Sequence, residues 1–99
     1  MKKSKSITVR NSAELAEALG LTAADGLEIE IRSELNDKII EVVDDKGLTH
    51  AQVAALAKTS RSRITAILNR NTLDVSTDLL LRVLAALGVH AKLQFRQAA

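Results

Sequence analysis

The chain has to build its core almost without rings. Of its 99 residues one is aromatic, Phe95, and none is proline. Aliphatic side chains must fill the interior, and such a core favours packed helices, because strands draw most on aromatic and β-branched residues. The supply is adequate: 46% of residues are hydrophobic and 26% charged, the balance of a globular chain and not of a disordered one. A chain of this length makes one domain and buries roughly two thirds of the surface its unfolded form exposes. Cysteine is absent, which excludes disulfides, thiolate metal sites and cysteine nucleophiles. No run of eighteen apolar residues suggests a membrane span. The basic start, Met1-Lys2-Lys3-Ser4-Lys5-Ser6, is not followed by the apolar core of a signal peptide, and a cytoplasmic protein is expected.

Helix starts and stops are marked along the chain. Asn11-Ser12-Ala13-Glu14 has the form of a capping box and opens a short helix through Leu19, which Gly20 ends. Thr22-Ala23-Ala24-Asp25 begins another. From it Leu27, Ile31, Leu35, Ile39 and Val43 recur every fourth residue, the mark of a long amphipathic helix that ends near Lys46-Gly47. Leu27 to Ile31 also alternates as a strand does, but the period of four continues for three more turns. Thr49-His50-Ala51-Gln52 is a full capping box. A short alanine-rich helix follows to Lys58, then a helix from Arg61 to Arg70 capped by Ser60. A last helix, Leu79 to Leu87, is capped by Ser76 or Thr77 and stopped by Gly88. Val89, Ala91, Leu93 and Phe95 then alternate with polar residues, which predicts a strand. A strand needs a partner, either Ile7-Thr8-Val9 or its own copy in a second subunit. The expected fold is therefore mainly α: five helices and a short C-terminal β-strand, with a basic tail over residues 1–10 and one domain over 11–99.

Residues 49–70 carry the functional signal. Two helices joined only by Lys58-Thr59-Ser60 must cross steeply, as in a helix-turn-helix. The crossing needs small residues on the first helix, supplied by Ala54 and Ala57, and inward apolar residues on the second, supplied by Ile64 and Ile67, with Val53 completing the patch. At about 100° per residue, Ile64 and Ile67 fall within about 40° of Ser60. The opposite face carries Ser62, Thr65, Ala66 and Asn69, flanked by Arg61, Arg63 and Arg70. A face of small and polar residues edged by arginines fits a major groove about 12 Å wide. The segment has no acid, whereas a solvated surface helix usually mixes both charges.

Leu48 to Ala57 followed by Ser60 to Arg70 resembles the XRE family of helix-turn-helix proteins, related to phage repressors. The similarity extends over residues 11–95. The Leu19-Gly20-Leu21 opening, the long helix before the motif, the Ser76-Thr77-Asp78-Leu79-Leu80 start of the last helix and the Leu87-Gly88-Val89 turn before Lys92-Leu93-Gln94-Phe95 resemble a subgroup rich in HigA-type antitoxins, encoded beside RelE-like toxins. The resemblance implies base reading by Arg61, Ser62 and Ala66: Arg61 pairing with guanine, Ala66 meeting a thymine methyl. It implies phosphate contacts from Arg63, Thr65, Asn69 and Arg70, and from Thr49 and His50 at the start of the first helix. Two positions depart from the family. Lys58 stands where a turn glycine is common, at a cost on the order of 1 kcal/mol. His50 replaces a common glutamine.

The net charge of +2 is unevenly laid out. Residues 1–10 carry four positive charges and no negative one, residues 11–47 sum to −7, and residues 48–99 sum to +5. A basic half beside an acidic half fits a polyanion surface and a separate face for another partner, or simply solvated helix faces. The last helix is apolar nearly all round, so Leu80, Val83, Leu84, Leu87, Leu93 and Phe95 are expected at a dimer interface, unless the N-terminal segments cover them. A two-fold dimer sets its reading helices about 34 Å apart on an inverted-repeat operator of double-stranded DNA. The expected protein is a nucleoid-associated regulator, either a HigA-like antitoxin that binds a RelE-like toxin and represses its own operon, or a repressor without a toxin. No carboxylate pair, nucleophile–base set, phosphate loop or metal-ligand spacing points to an enzyme, a metal or another cofactor. His90 is read as structural.

Overall fold

The computed structural model describes residues 20, 22–95 and 97. The chain divides into two compact units, Met1–Glu34 and Leu35–Ala99. Four helices lie within the described residues: α1 (Ala23–Lys46), α2 (His50–Ala57), α3 (Arg61–Leu68) and α4 (Thr77–Ala86). The expected helix over 11–19, the basic tail and the Ile7-Thr8-Val9 segment lie outside them.

Each helix begins on a hydroxyl. The Thr22 Oγ1 accepts from the Asp25 N–H at 3.1 Å, and Asp25 Oδ2 accepts from the Thr22 N–H at 3.1 Å and from its hydroxyl at 2.8 Å. Those bonds, the hydroxyl's first and the backbone's second, hold the Asp25 carboxyl below its usual range. At α2, Thr49 and Gln52 form the reciprocal capping box. Ser60 and Ser76 cap α3 and α4, accepting from the Arg63 and Leu79 N–H groups. These hydroxyls satisfy donors that a first helical turn leaves without a backbone partner.

The four helices also share one way of ending. The N–H of the residue after the last turn reaches back three positions, and the next N–H reaches back five: Gly47 to Asp44 and Leu48 to Val43, Lys58 to Ala55 and Thr59 to Ala54, Arg70 to Ile67 and Asn71 to Ala66, Gly88 to Ala85 and Val89 to Leu84. This paired closure requires a left-handed residue at the reversal. Gly47, Lys58, Arg70 and Gly88 have φ of 62°, 55°, 60° and 84°.

In the first unit, Leu27 and Ile31 of the four-residue stripe are exposed. In the second, the stripe becomes core: Leu35, Ile39, Val42 and Val43 join Val53, Ala54, Ala57, Ile64, Ile67, Val75, Leu79, Leu80, Val83, Leu84 and Leu87 in a single apolar cluster. Helix α2 packs on both α3 and α4. Lys46 Nζ donates to the Leu87 carbonyl at 3.0 Å, tying the end of α1 to the end of α4. Fully burying a valine, leucine or isoleucine side chain contributes about 1.5–3 kcal/mol.

Two expectations are corrected here. Leu80, Val83, Leu84 and Leu87 are 0–3% exposed within one chain, so they present no surface to a second subunit. An apolar-rich helix need not signal an interface: these four residues lie in one cluster with residues of α1, α2 and α3, while Leu81 stays exposed. The second correction concerns the strand. Residues 89–95 form none, and no strand occurs among the described residues. Val89 is half-buried against the core, but Leu93 and Phe95 are 72% and 91% exposed. Alternation alone supplies no ladder partner.

Candidate nucleic-acid interface

The crossing of α2 and α3 follows from the residues beneath it. Val53, Ala54 and Ala57 on α2 and Ile64 and Ile67 on α3 are all buried. The small side chains on α2 let α3 approach, and the two isoleucines anchor it. With that face fixed, Arg61, Ser62 and Arg63 in the first turn of α3 are exposed. The Ser60 hydroxyl accepts from the Arg63 N–H at 3.2 Å and lies 3.4 Å from Ser62 Oγ. This turn therefore has a fixed backbone and free arginine side chains. No acidic residue occurs between Leu48 and Leu73, so the segment's own field is positive, and the positive end of the α3 dipole points the same way.

Other proposed contacts are already engaged within the chain. Thr49 gives its N–H to Gln52 Oε1 at 2.8 Å, and its hydroxyl accepts from the Gln52 N–H at 3.1 Å. His50 Nδ1 lies 2.8 Å from Thr65 Oγ1, and both residues are half-buried. That bond pins the start of α2 to the middle of α3. The remaining His50 ring nitrogen and the Arg61–Arg63 turn are among the polar groups left for a ligand. Ala66 is half-buried and packs on the core, so less of it faces outward than the helical wheel implies. Asn69 is exposed at the end of α3, its N–H returned to the Thr65 carbonyl at 3.0 Å.

The structure adds two residues from α1 that the sequence reading passed over. Asn36, 5% exposed, donates from Nδ2 to the Ile67 carbonyl at 2.9 Å. Asp37 accepts from Arg70 Nη1 in an exposed ion pair. Both grip the end of α3. A signal for Asn36 was present: it is a polar residue directly beside Leu35 on the stripe that continues to Ile39 and Val43. Nothing local marks Asp37. The hydroxyl of Thr59, in the turn between α2 and α3, is buried without a partner.

Among the described residues no helix is long and apolar enough to cross a membrane. No curated protein and no solved structure matches the chain. The sequence model of a family described as a helix-turn-helix domain matches residues 15–96. That span takes in both capped helices, their left-handed turn at Lys58 and the arginine-bearing first turn of α3, a fold that fits DNA binding, and the chain belongs to this helix-turn-helix domain family.

Proposed function

We propose that the chain is a sequence-specific DNA-binding regulator of the XRE type, a repressor that reads double-stranded DNA with α3. The observation that carries the reading is the first turn of α3: Arg61, Ser62 and Arg63 exposed on a backbone fixed by Ser60, in a segment without acids. Arg61 and Ser62 read base edges, while Arg63 and the free nitrogen of His50 hold phosphates. Two copies bind an inverted repeat. With the faces of Leu80, Val83, Leu84 and Leu87 closed, the second copy meets Leu81, Leu93 and Phe95, which are 43%, 72% and 91% exposed. No part of this reading needs catalysis or a cofactor, and it places the protein on the bacterial nucleoid.

The test is selection of a preferred site from a random duplex pool, followed by binding measurements on that site and on unrelated duplex. Arg61→Ala is expected to cost about 1–3 kcal/mol on the preferred site and little elsewhere, whereas Arg63→Ala weakens every duplex alike. Equal losses for both variants on all sequences would overturn base reading by Arg61.

The finer role is that of a HigA-like antitoxin. It is favoured by the charge layout, in which residues 11–47 carry −7 beside the basic second half, a complement to a basic RelE-like ribonuclease. The reading requires that the adjacent reading frame encode a small basic protein that is toxic and binds this chain. A neighbour that does neither leaves a repressor without a toxin.

A further inference from the structure

The recognition segment has no acid of its own, yet the fold brings one to it. Asp37 of α1 forms an ion pair with Arg70 at the end of α3. Beside it, the buried Asn36 bonds the Ile67 carbonyl at 2.9 Å, so the backbone that presents Asp37 is fixed against the end of α3. Arg70 is fixed as well: its φ is 60°, and its N–H closes on Ile67 while the next N–H closes on Ala66. Both partners of the ion pair are therefore held in place by their backbones. Their side chains are nonetheless open to water, at 57% and 58% relative exposure. Exposed pairs of this kind are weak and screened by salt. Arg70 meets Asp37 through Nη1 and one carboxylate oxygen, and a guanidinium so placed leaves a carboxylate readily for a phosphate, which it can bind with two N–H groups.

We infer that Asp37 is an affinity-setting residue: its carboxylate occupies Arg70 in the free protein and competes with the DNA backbone for it. The inference rests on the DNA-binding reading above and adds to it a built-in intramolecular competitor. On binding, Arg70 exchanges the carboxylate for a phosphate, and Asp37 is left beside a polyanion. The lost carboxylate contact and the repulsion between Asp37 and the phosphates both oppose association. Neither depends on base sequence, because phosphates carry no sequence information. Asp37 thus lowers affinity for all duplex equally and restrains non-specific binding.

The experiment is a double-mutant cycle on full-length protein, read by fluorescence anisotropy on a random-sequence duplex at low salt. Asp37→Asn is expected to tighten binding about 3- to 10-fold, combining a lost competitor with relieved repulsion. In an Arg70→Ala background only the repulsion remains, and the gain from Asp37→Asn is expected to shrink to about 2-fold or less. Both positions are exposed, and circular dichroism and thermal melting check that every variant stays folded. Equal gains in the two backgrounds, or no gain in either, overturn the competition while leaving DNA binding intact. Failure of the unchanged protein to bind any duplex overturns the DNA reading itself, and the inference with it.

Discussion

Helices α1 and α4 end on glycine, whereas α2 and α3, the two that make the helix-turn-helix, end on Lys58 and Arg70. The hydrogen bonds that close the four ends are the same, so the backbone demand is the same. A left-handed residue is free for glycine and costs an L side chain roughly 1–2 kcal/mol. The other two helices avoid that cost and the helix-turn-helix pair accepts it. A cation at a helix C-terminus recovers part, about 0.3–1 kcal/mol, by facing the negative end of the dipole. Arg70 also gains its partner on α1. The contrast shows a fold whose framework follows the local rule and whose helix-turn-helix departs from it, with a positive charge in place of each glycine.

If the glycines were dispensable, the four helix ends would not differ in cost. Gly88→Val is the largest expected effect. A Cβ at Gly88 would meet nothing within 4 Å, so the left-handed backbone is the main expected source of loss. A β-branched residue is poorly suited to this region, and a loss of about 2 kcal/mol is expected in urea unfolding. A variant as stable as the parent would show that the left-handed closure does not limit stability. The complementary change, Lys58→Gly, is expected to raise stability by about 0.5 kcal/mol, the relief of strain being offset by lost dipole interaction and by a more flexible unfolded chain. A decrease would mean that the lysine is held by more than its charge.

The same contrast explains what could be read in the sequence. All four starts were legible, since Thr22, Thr49, Ser60 and Ser76 are hydroxyl residues placed directly before apolar periodicity. The packing of Val53, Ala54, Ala57, Ile64 and Ile67 was legible as well, because a three-residue link leaves two short helices few ways to meet. The ends on Gly47 and Gly88 were visible for the same local reason. The end of α3 was not: the helix was expected to run to Arg70, and it stops at Leu68 because an arginine takes the left-handed position that no propensity assigns to it. The ion pair with Asp37 was hidden too, since its partners are 33 positions apart. Helix α4 misled in the other direction. Leu80, Val83, Leu84 and Leu87 are buried within the chain itself, a property of tertiary packing that one helix's composition does not contain.

The starts hold one contrast of their own, and it gives the smallest expected effect. Helix α2 completes its capping box with Gln52, while α1 uses Asp25 in the equivalent place. Gln52 has no proton to gain. Asp25 has, and its carboxyl is held below the ordinary range by the Thr22 hydroxyl and N–H. The sign follows directly: a carboxylate depressed in the folded state contributes stability above its unfolded value and loses it as pH falls through the folded one. Acidification below roughly pH 4 is therefore expected to loosen the first turn of α1 and leave that of α2 intact. Amide hydrogen exchange and shifts at Thr22 and Asp25, followed against pH beside those at Thr49 and Gln52, measure the difference. In Asp25→Asn the acid step at α1 should vanish while the turn keeps an acceptor, since the amide oxygen replaces the carboxylate. If both turns loosened together, acid would be acting through the whole fold and not through this cap.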